Sequence, residues 1–296
     1  LLLGLAVERL LTQLLHLREF HWLDPLFDRL FTRLGKSGAF LAAGGCIILL
    51  LLLIVPVALV FFGLQDRLEH IPLFIFSVFV LLFCLGPRDL GEEVIEYREA
   101  IARHDMEEVH ALATELLEYA PDAIGEVPDV EHAVYAQANN RIFGVVFWFA
   151  VLGPVGAWMF RVLDLMRRRA VNYYIDTSGD QFATQSLKSM PVVTATIFLH
   201  KIMAWVPARL LMAGYAMAGN YEGAVSAWRN PPPESHDLSL GKSEQLLGAI
   251  GCGASHKADD LDVSGKAQVA IDLVVRTLWM VWCPVLALLT IYGAIN

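Results

Sequence analysis

Long stretches of this chain carry no charge, and their lengths set the first expectation, because a membrane-spanning helix needs about 20 mainly apolar residues and tolerates few ions. Ser37 to Gln65 is one such run, containing ILLLLLIVPVALVFF, and Ile71 to Pro87 is a second. Only Asp66 to His70 separates them, so residues 37–65 and 71–87 are predicted to form a transmembrane hairpin, the shorter arm suiting a thin or locally adapted bilayer. Residues 142–160 form a third run, and residues 273–295 a C-terminal transmembrane helix. The opening LLLGLAVERLLTQLL reads as a further apolar helix over residues 1–16. Neither a charged leading region nor an A-x-A site marks that opening as a signal peptide.

The segments between these runs have different periods. Residues 88–135 place Val94, Ile95, Ile101 and Ala102, then Val109, Leu112, Ala113, Leu116 and Leu117, at helical spacing. They predict a soluble amphipathic helical hairpin turning near His104-Asp105, with its acids on a solvated face. Residues 190–219 are apolar yet carry His200, Lys201 and Arg209. A pair of interfacial helices broken at Pro207, with its cations reaching to head groups, fits that pattern. Arg209 has an alternative role there, since a guanidinium grips phosphate or carboxylate at two points. Residues 220–272 are polar and rich in Gly, Ser and Pro, predicting loops around one short helix, Glu244 to Ile250.

Basic residues complicate the topology. Arg18, Arg29, Arg33 and Lys36 precede the first hairpin, and Arg161, Arg167, Arg168, Arg169 and Lys188 follow the third run. Short-loop cations prefer the cytoplasm, yet three full crossings would put these two groups on opposite sides. The conflict disappears if residues 142–160 enter and return on one side, broken at Gly153-Pro154-Val155-Gly156; a full crossing stays open as the alternative.

Composition narrows the function. Apolar residues make up 56% of the 296, charged residues 18%, and mean hydropathy is +0.52, which argues against a purely soluble enzyme. Net charge is −9, with acids concentrated in residues 87–141, the reverse of what a nucleic-acid binder needs. Cys46, Cys84, Cys252 and Cys283 are far apart, with neither disulfide-framework nor zinc spacing. Gly35-Lys36-Ser37 and Gly241-Lys242-Ser243 lack the earlier glycine of a phosphate loop, having Leu30 and His236 there instead. There is no HExxH and no GxSxG, so neither a catalytic metal nor a serine nucleophile is predicted. Arg167-Arg168-Arg169 reads most simply as an anchor on anionic lipid.

Several segments, LLGLAVERL, HWLDPLFDRLF, FWFAVLGPVGAWMFRVL, WVPARL and the closing ALLTIYGA, together resemble the AmpE family in order and over nearly the whole chain. That resemblance implies an all-α polytopic protein of the bacterial inner membrane, with a regulatory or signalling role linked to β-lactamase induction. AmpE proteins are in turn similar to the CobD/CbiB membrane enzymes of cobalamin synthesis. The acidic helix pair, the Gly-Pro run, Pro207-Ala208-Arg209-Leu210 and LGAIG at 247–251 carry that outline. The enzyme resemblance implies Asn-Thr-Leu-Asp after the Gly-Pro run, where this chain has Asp164-Leu165-Met166-Arg167.

Two readings follow. In the first, the chain is a non-enzymatic regulator with no cofactor and no metal, embedded in the lipid bilayer beside a protein partner. Homo-oligomerisation through small residues such as Gly44-Gly45 is compatible with it. In the second, it is a membrane ligase or transferase using Mg-ATP on a phosphorylated or amidated substrate. Arg141, Arg161 and Arg209 are then the anion-binding candidates, and Asp164 or Glu8 supplies a carboxylate.

Overall fold

The protein is represented here by a computed structural model describing residues 20–35, 37–65, 70–85, 89–118, 126–178, 190–231, 242–255, 261–285 and 287–288. The predicted helix over residues 1–16, with Glu8, lies outside them, as does most of the closing ALLTIYGA. Every regular element among the described residues is helical, and the chain is an all-α polytopic membrane protein. Among the described residues, four helical stretches are long and apolar enough to cross a membrane: Ala39–Gln65, Glu131–Thr177, Pro191–Ala218 and Val263–Val285. A shorter one covers Ile71–Cys84.

The chain divides into two compact units, residues 1–87 with 144–202, and residues 88–143 with 203–296. The first holds α1 (Asp24–Leu34), α2 (Ala39–Gln65), α3 (His70–Cys84), α7 (Gly144–Ser178) and the start of α8 (Pro191–Ala218). Helix α1 turns Phe27 and Phe31 inward, whereas α2 is apolar all round and leaves Phe40, Leu52 and Leu59 more than 60% exposed. Such a surface is stable facing acyl chains rather than water. Pro56 interrupts α2 by withholding a donor from the carbonyl four residues earlier. The Trp158 indole donates to the neighbouring Leu53 carbonyl at 2.9 Å, tying α7 to that weak point.

Helix α7 breaks at Gly153, whose φ of 66° and ψ of −156° lie in a region that essentially only glycine occupies. The break is sharp. A Cβ on Gly156 would stand 2.3 Å from the Trp148 carbonyl oxygen, eight residues back, whereas eight residues of straight helix span about 12 Å. The two arms therefore fold toward each other, and glycine at 156 permits the approach.

The second unit begins with α4 (Leu90–Arg103) and α5 (Met106–Leu117), an amphipathic helical hairpin. Asp89 caps the first helix and Asp105 the second, each accepting a backbone N–H, and His104 joins them at a positive φ of 60°. Next come α6 (Glu131–Ala138), a π-helical turn (Asn139–Phe143), α9 (Tyr221–Arg229), α10 (Lys242–Ala254), α11 (Val263–Thr277) and a second π turn (Leu278–Trp282). Helix α10 lies so close to α6 that a Cβ on Gly251 would meet the Tyr135 ring at 2.5 Å.

Three predicted stretches differ from the structure. Residues 190–219 form one helix, α8, continuing through Pro207, because burial of Ala204, Ala208, Leu211, Met212 and Tyr215 offsets the lost backbone bond. In the region expected to be loops, α9 and α11 flank α10, and Asn220 and Asp262 cap them through the Gly223 and Gly265 amides. The last apolar helix starts at Val263 rather than 273, since Ala267, Ala270 and Ile271 already form a buried stripe.

Candidate functional site

In the first unit, one carboxylate collects basic side chains from two helices. Arg161, Arg167 and Arg168 stand three or four residues from Asp164 on α7, the spacing that puts side chains on one helix face. Asp164 is fully buried and accepts from Arg167 at 2.9 Å, Arg168 at 3.1 Å and Arg161 at 3.4 Å. His200 of α8 brings Nε2 to 3.6 Å from the same carboxylate. Phe20 lies 5.6 Å beneath the Arg161 guanidinium, and the Phe160 ring lies 5.7 Å from that of His200 at a tilt of 33°. A desolvated carboxylate is tolerated when hydrogen bonds and opposite charge surround it, as here.

Arg169 points elsewhere, donating to both Asp28 oxygens at 2.8 and 2.7 Å. Those bonds hold the Asp28 carboxyl below its usual range. The expectation that Arg167-Arg168-Arg169 is a lipid anchor is thus corrected: two arginines turn onto Asp164, and the third pairs with α1. His200, expected at head groups, is fully buried beside Asp164.

The second unit has its own polar core around the first π turn. Arg141 is held by Glu93 at 2.6 Å and by the Gln137 oxygen at 3.1 Å, and the Gln137 amide reaches the Leu116 carbonyl and Glu118. Asn140 donates to buried Glu244 at 2.9 Å, and Asn139 to Asn140 at 3.2 Å. The acids of the helical hairpin lie mostly on its solvated face, Glu92, Glu96, Glu99, Glu107 and Glu115 being exposed, whereas Glu93 is buried, as is Glu131 on α6. Beside Glu131, burial pushes the Cys252 thiol upward, which keeps it protonated and a poor nucleophile.

Arg209 is arranged differently. Its guanidinium lies 5.6 Å from the Trp205 ring and 5.7 Å from the Trp228 ring, and its buried Nε has no hydrogen-bond partner among the described residues. No acid pairs with it among the described residues.

Of the residues singled out from the sequence, Arg161 and Asp164 come together in the first unit. Arg141 and Arg209 belong to the second, with separate partners, and Glu8 lies outside the described residues. Sequence reasoning missed Arg167, Arg168 and His200 around Asp164, and Glu93 and Glu244 around the π turn. The i, i+3 and i+4 spacing around Asp164 was an available signal; the contacts from Glu93 and Glu244 had none. Among the described residues, no three His, Cys, Asp or Glu side chains gather in a way that could hold a metal.

A family model described as "Regulatory signalling modulator protein AmpE" matches residues 1–296. The chain belongs to the AmpE family. A protein named AmpE from Shigella flexneri is 26% identical over 301 residues, covering 99% of this chain and 98% of that one. This AmpE-family chain is also similar to two proteins named "Cobalamin biosynthesis protein CobD". That of Stutzerimonas stutzeri is 24% identical over 160 residues, 53% of this chain and 49% of the relative, so the match spans about half of that protein. That of Chromobacterium violaceum is 23% identical over 259 residues, covering 77% and 76% of the two chains. No solved structure matches this chain.

Proposed function

We propose that this AmpE-family chain is a regulatory or signalling protein of the bacterial inner membrane, linked to β-lactamase induction and the cell-wall and antibiotic response. The whole-chain family match carries this reading. The buried acids agree with it: Asp164, Glu93 and Glu244 are each committed to arginine or asparagine donors that hold helices together. The reading needs no cofactor, and its partners are the bilayer and a protein of the regulatory route. Self-association is compatible with it, although Gly45 already packs against Leu34 within the chain.

The test is inducible β-lactamase activity in a strain lacking the gene, with and without the wild-type gene restored. An altered induction response, returned to normal by the restored gene, is the expected result. Identical induction in both strains overturns the proposal.

The CobD relatives favour a second reading, a membrane ligase or transferase for a phosphorylated or amidated substrate. Arg141, Arg161 and Arg209 would hold anions, and Asp164 or Glu8 would supply the carboxylate for Mg-ATP. Native mass spectrometry with Mg-ATP distinguishes it: nucleotide retained by wild type and lost from Arg161→Ala/Arg209→Ala favours the enzyme.

A further inference from the structure

A charged side chain on an apolar helix needs a counter-charge, water or a head group. The Arg209 guanidinium has two indole faces, which attract its charge but accept none of its in-plane N–H bonds in the manner of an oxyanion. Its Nε is buried without an acceptor among the described residues, an arrangement that is costly unless something completes it. Both indoles are about half exposed, Trp205 at 53% and Trp228 at 50%, so the clamp stands at the surface of its unit. Leu210, Met217 and Tyr221 add exposed apolar area on the same two helices, one of them long and apolar enough to span a bilayer. Tryptophan, tyrosine and arginine gather at membrane interfaces, where an indole lies among glycerol and acyl groups and a guanidinium meets phosphate.

The geometry points to Arg209, flanked by Trp205 and Trp228, as a binding site for the phosphodiester of a membrane phospholipid. The guanidinium donates to the non-bridging phosphate oxygens, and the two indoles fix its plane and cover the glycerol end of the lipid. A lipid is favoured over free phosphate because exposed apolar side chains surround the cation, and acyl chains bury them where an inorganic ion cannot. This inference does not rest on the regulatory reading and requires no reaction, and it gives to lipid the guanidinium that the enzyme reading would use for a substrate anion.

The test uses the full chain, purified in detergent, stripped of lipid and examined by native mass spectrometry. It is titrated with phosphatidylglycerol, with diacylglycerol of the same chains, and with phosphatidylglycerol in the presence of inorganic phosphate. Wild type is expected to retain phosphatidylglycerol at least about tenfold more strongly than diacylglycerol, with no competition from inorganic phosphate, since a charge-assisted hydrogen bond is worth at least that factor. Arg209→Gln removes the preference, and Arg209→Lys restores part of it. Equal retention of the two lipids by wild type overturns the proposal, a comparison that requires no variant to fold. Unchanged preference in folded Arg209→Gln overturns it also, and competition by inorganic phosphate reassigns the site to a free anion. Trp205→Phe/Trp228→Phe should weaken retention while leaving the melting temperature near that of wild type.

Discussion

Two arginine sites in this chain solve the same problem in opposite ways. Around Asp164, three guanidiniums and an imidazole turn inward onto one carboxylate, and the charge is satisfied within the protein. At Arg209 the charge lies beside two half-exposed indoles, with no acid in contact among the described residues. The first arrangement fixes the packing of α7 against α8 within its unit, so its removal should damage the fold. The second meets α9 through the Trp228 ring and no carboxylate among the described residues, which leaves its cation for the lipid phosphate proposed above. Burial of an ion therefore marks structure in one place, and exposure beside aromatic rings marks interaction in the other.

The largest effect that would break this comparison is Asp164→Asn. Removing the carboxylate leaves buried arginines without their shared acceptor, and losing one partner of a buried pair costs about 3–5 kcal/mol. Folded protein should fall sharply on size-exclusion chromatography in detergent, and wild-type yield and melting would sink the structural reading. Glu93→Gln should come next, since its bond to Arg141 is similarly buried. The double change Glu93→Leu/Arg141→Met should melt above the single variant, because no charge is then stranded. A double variant melting no higher would show that the network holds the π turn by more than charge.

Arg209→Gln should alter stability by only about 1 kcal/mol or less, the worth of exposed cation–π contacts, measured as a melting shift of a few degrees at most. The smallest effect belongs to the half-exposed Asp28–Arg169 pair. The folded-state carboxyl titrates below its ordinary value of 3.8, so the pair stabilises above that value, and this contribution fades as pH falls through the lower folded value. Asp28→Asn should therefore lower melting slightly at neutral pH and converge with wild type in strong acid. A constant difference across pH would assign the effect to packing instead.

Much of the membrane architecture was legible because the bilayer imposes a length and a composition on any helix within it. The 37–65 run stands as α2, and the apolar spacing of residues 88–135 as α4 and α5, turning at His104-Asp105. The polar region after 220 was less legible. Its glycines and serines resemble loop composition, yet at Gly251 a missing side chain is what lets α10 settle on Tyr135. Arg167-Arg168-Arg169 misled for a related reason: three adjacent cations look like one patch, but successive helical residues point about 100° apart and reach different partners.

Local composition and the spacing of neighbouring residues already settled that the chain is helical and built for a membrane, where the hydrophobic runs lie, and that the soluble hairpin turns near His104-Asp105. Tertiary structure alone decided which charges are internal. His200 reaches Asp164 across 36 positions, Glu93 meets Arg141 across 48, and Trp228 closes over Arg209 from another helix. The cost of burying a charge depends on what surrounds it in space, and those neighbours come together only when the helices pack.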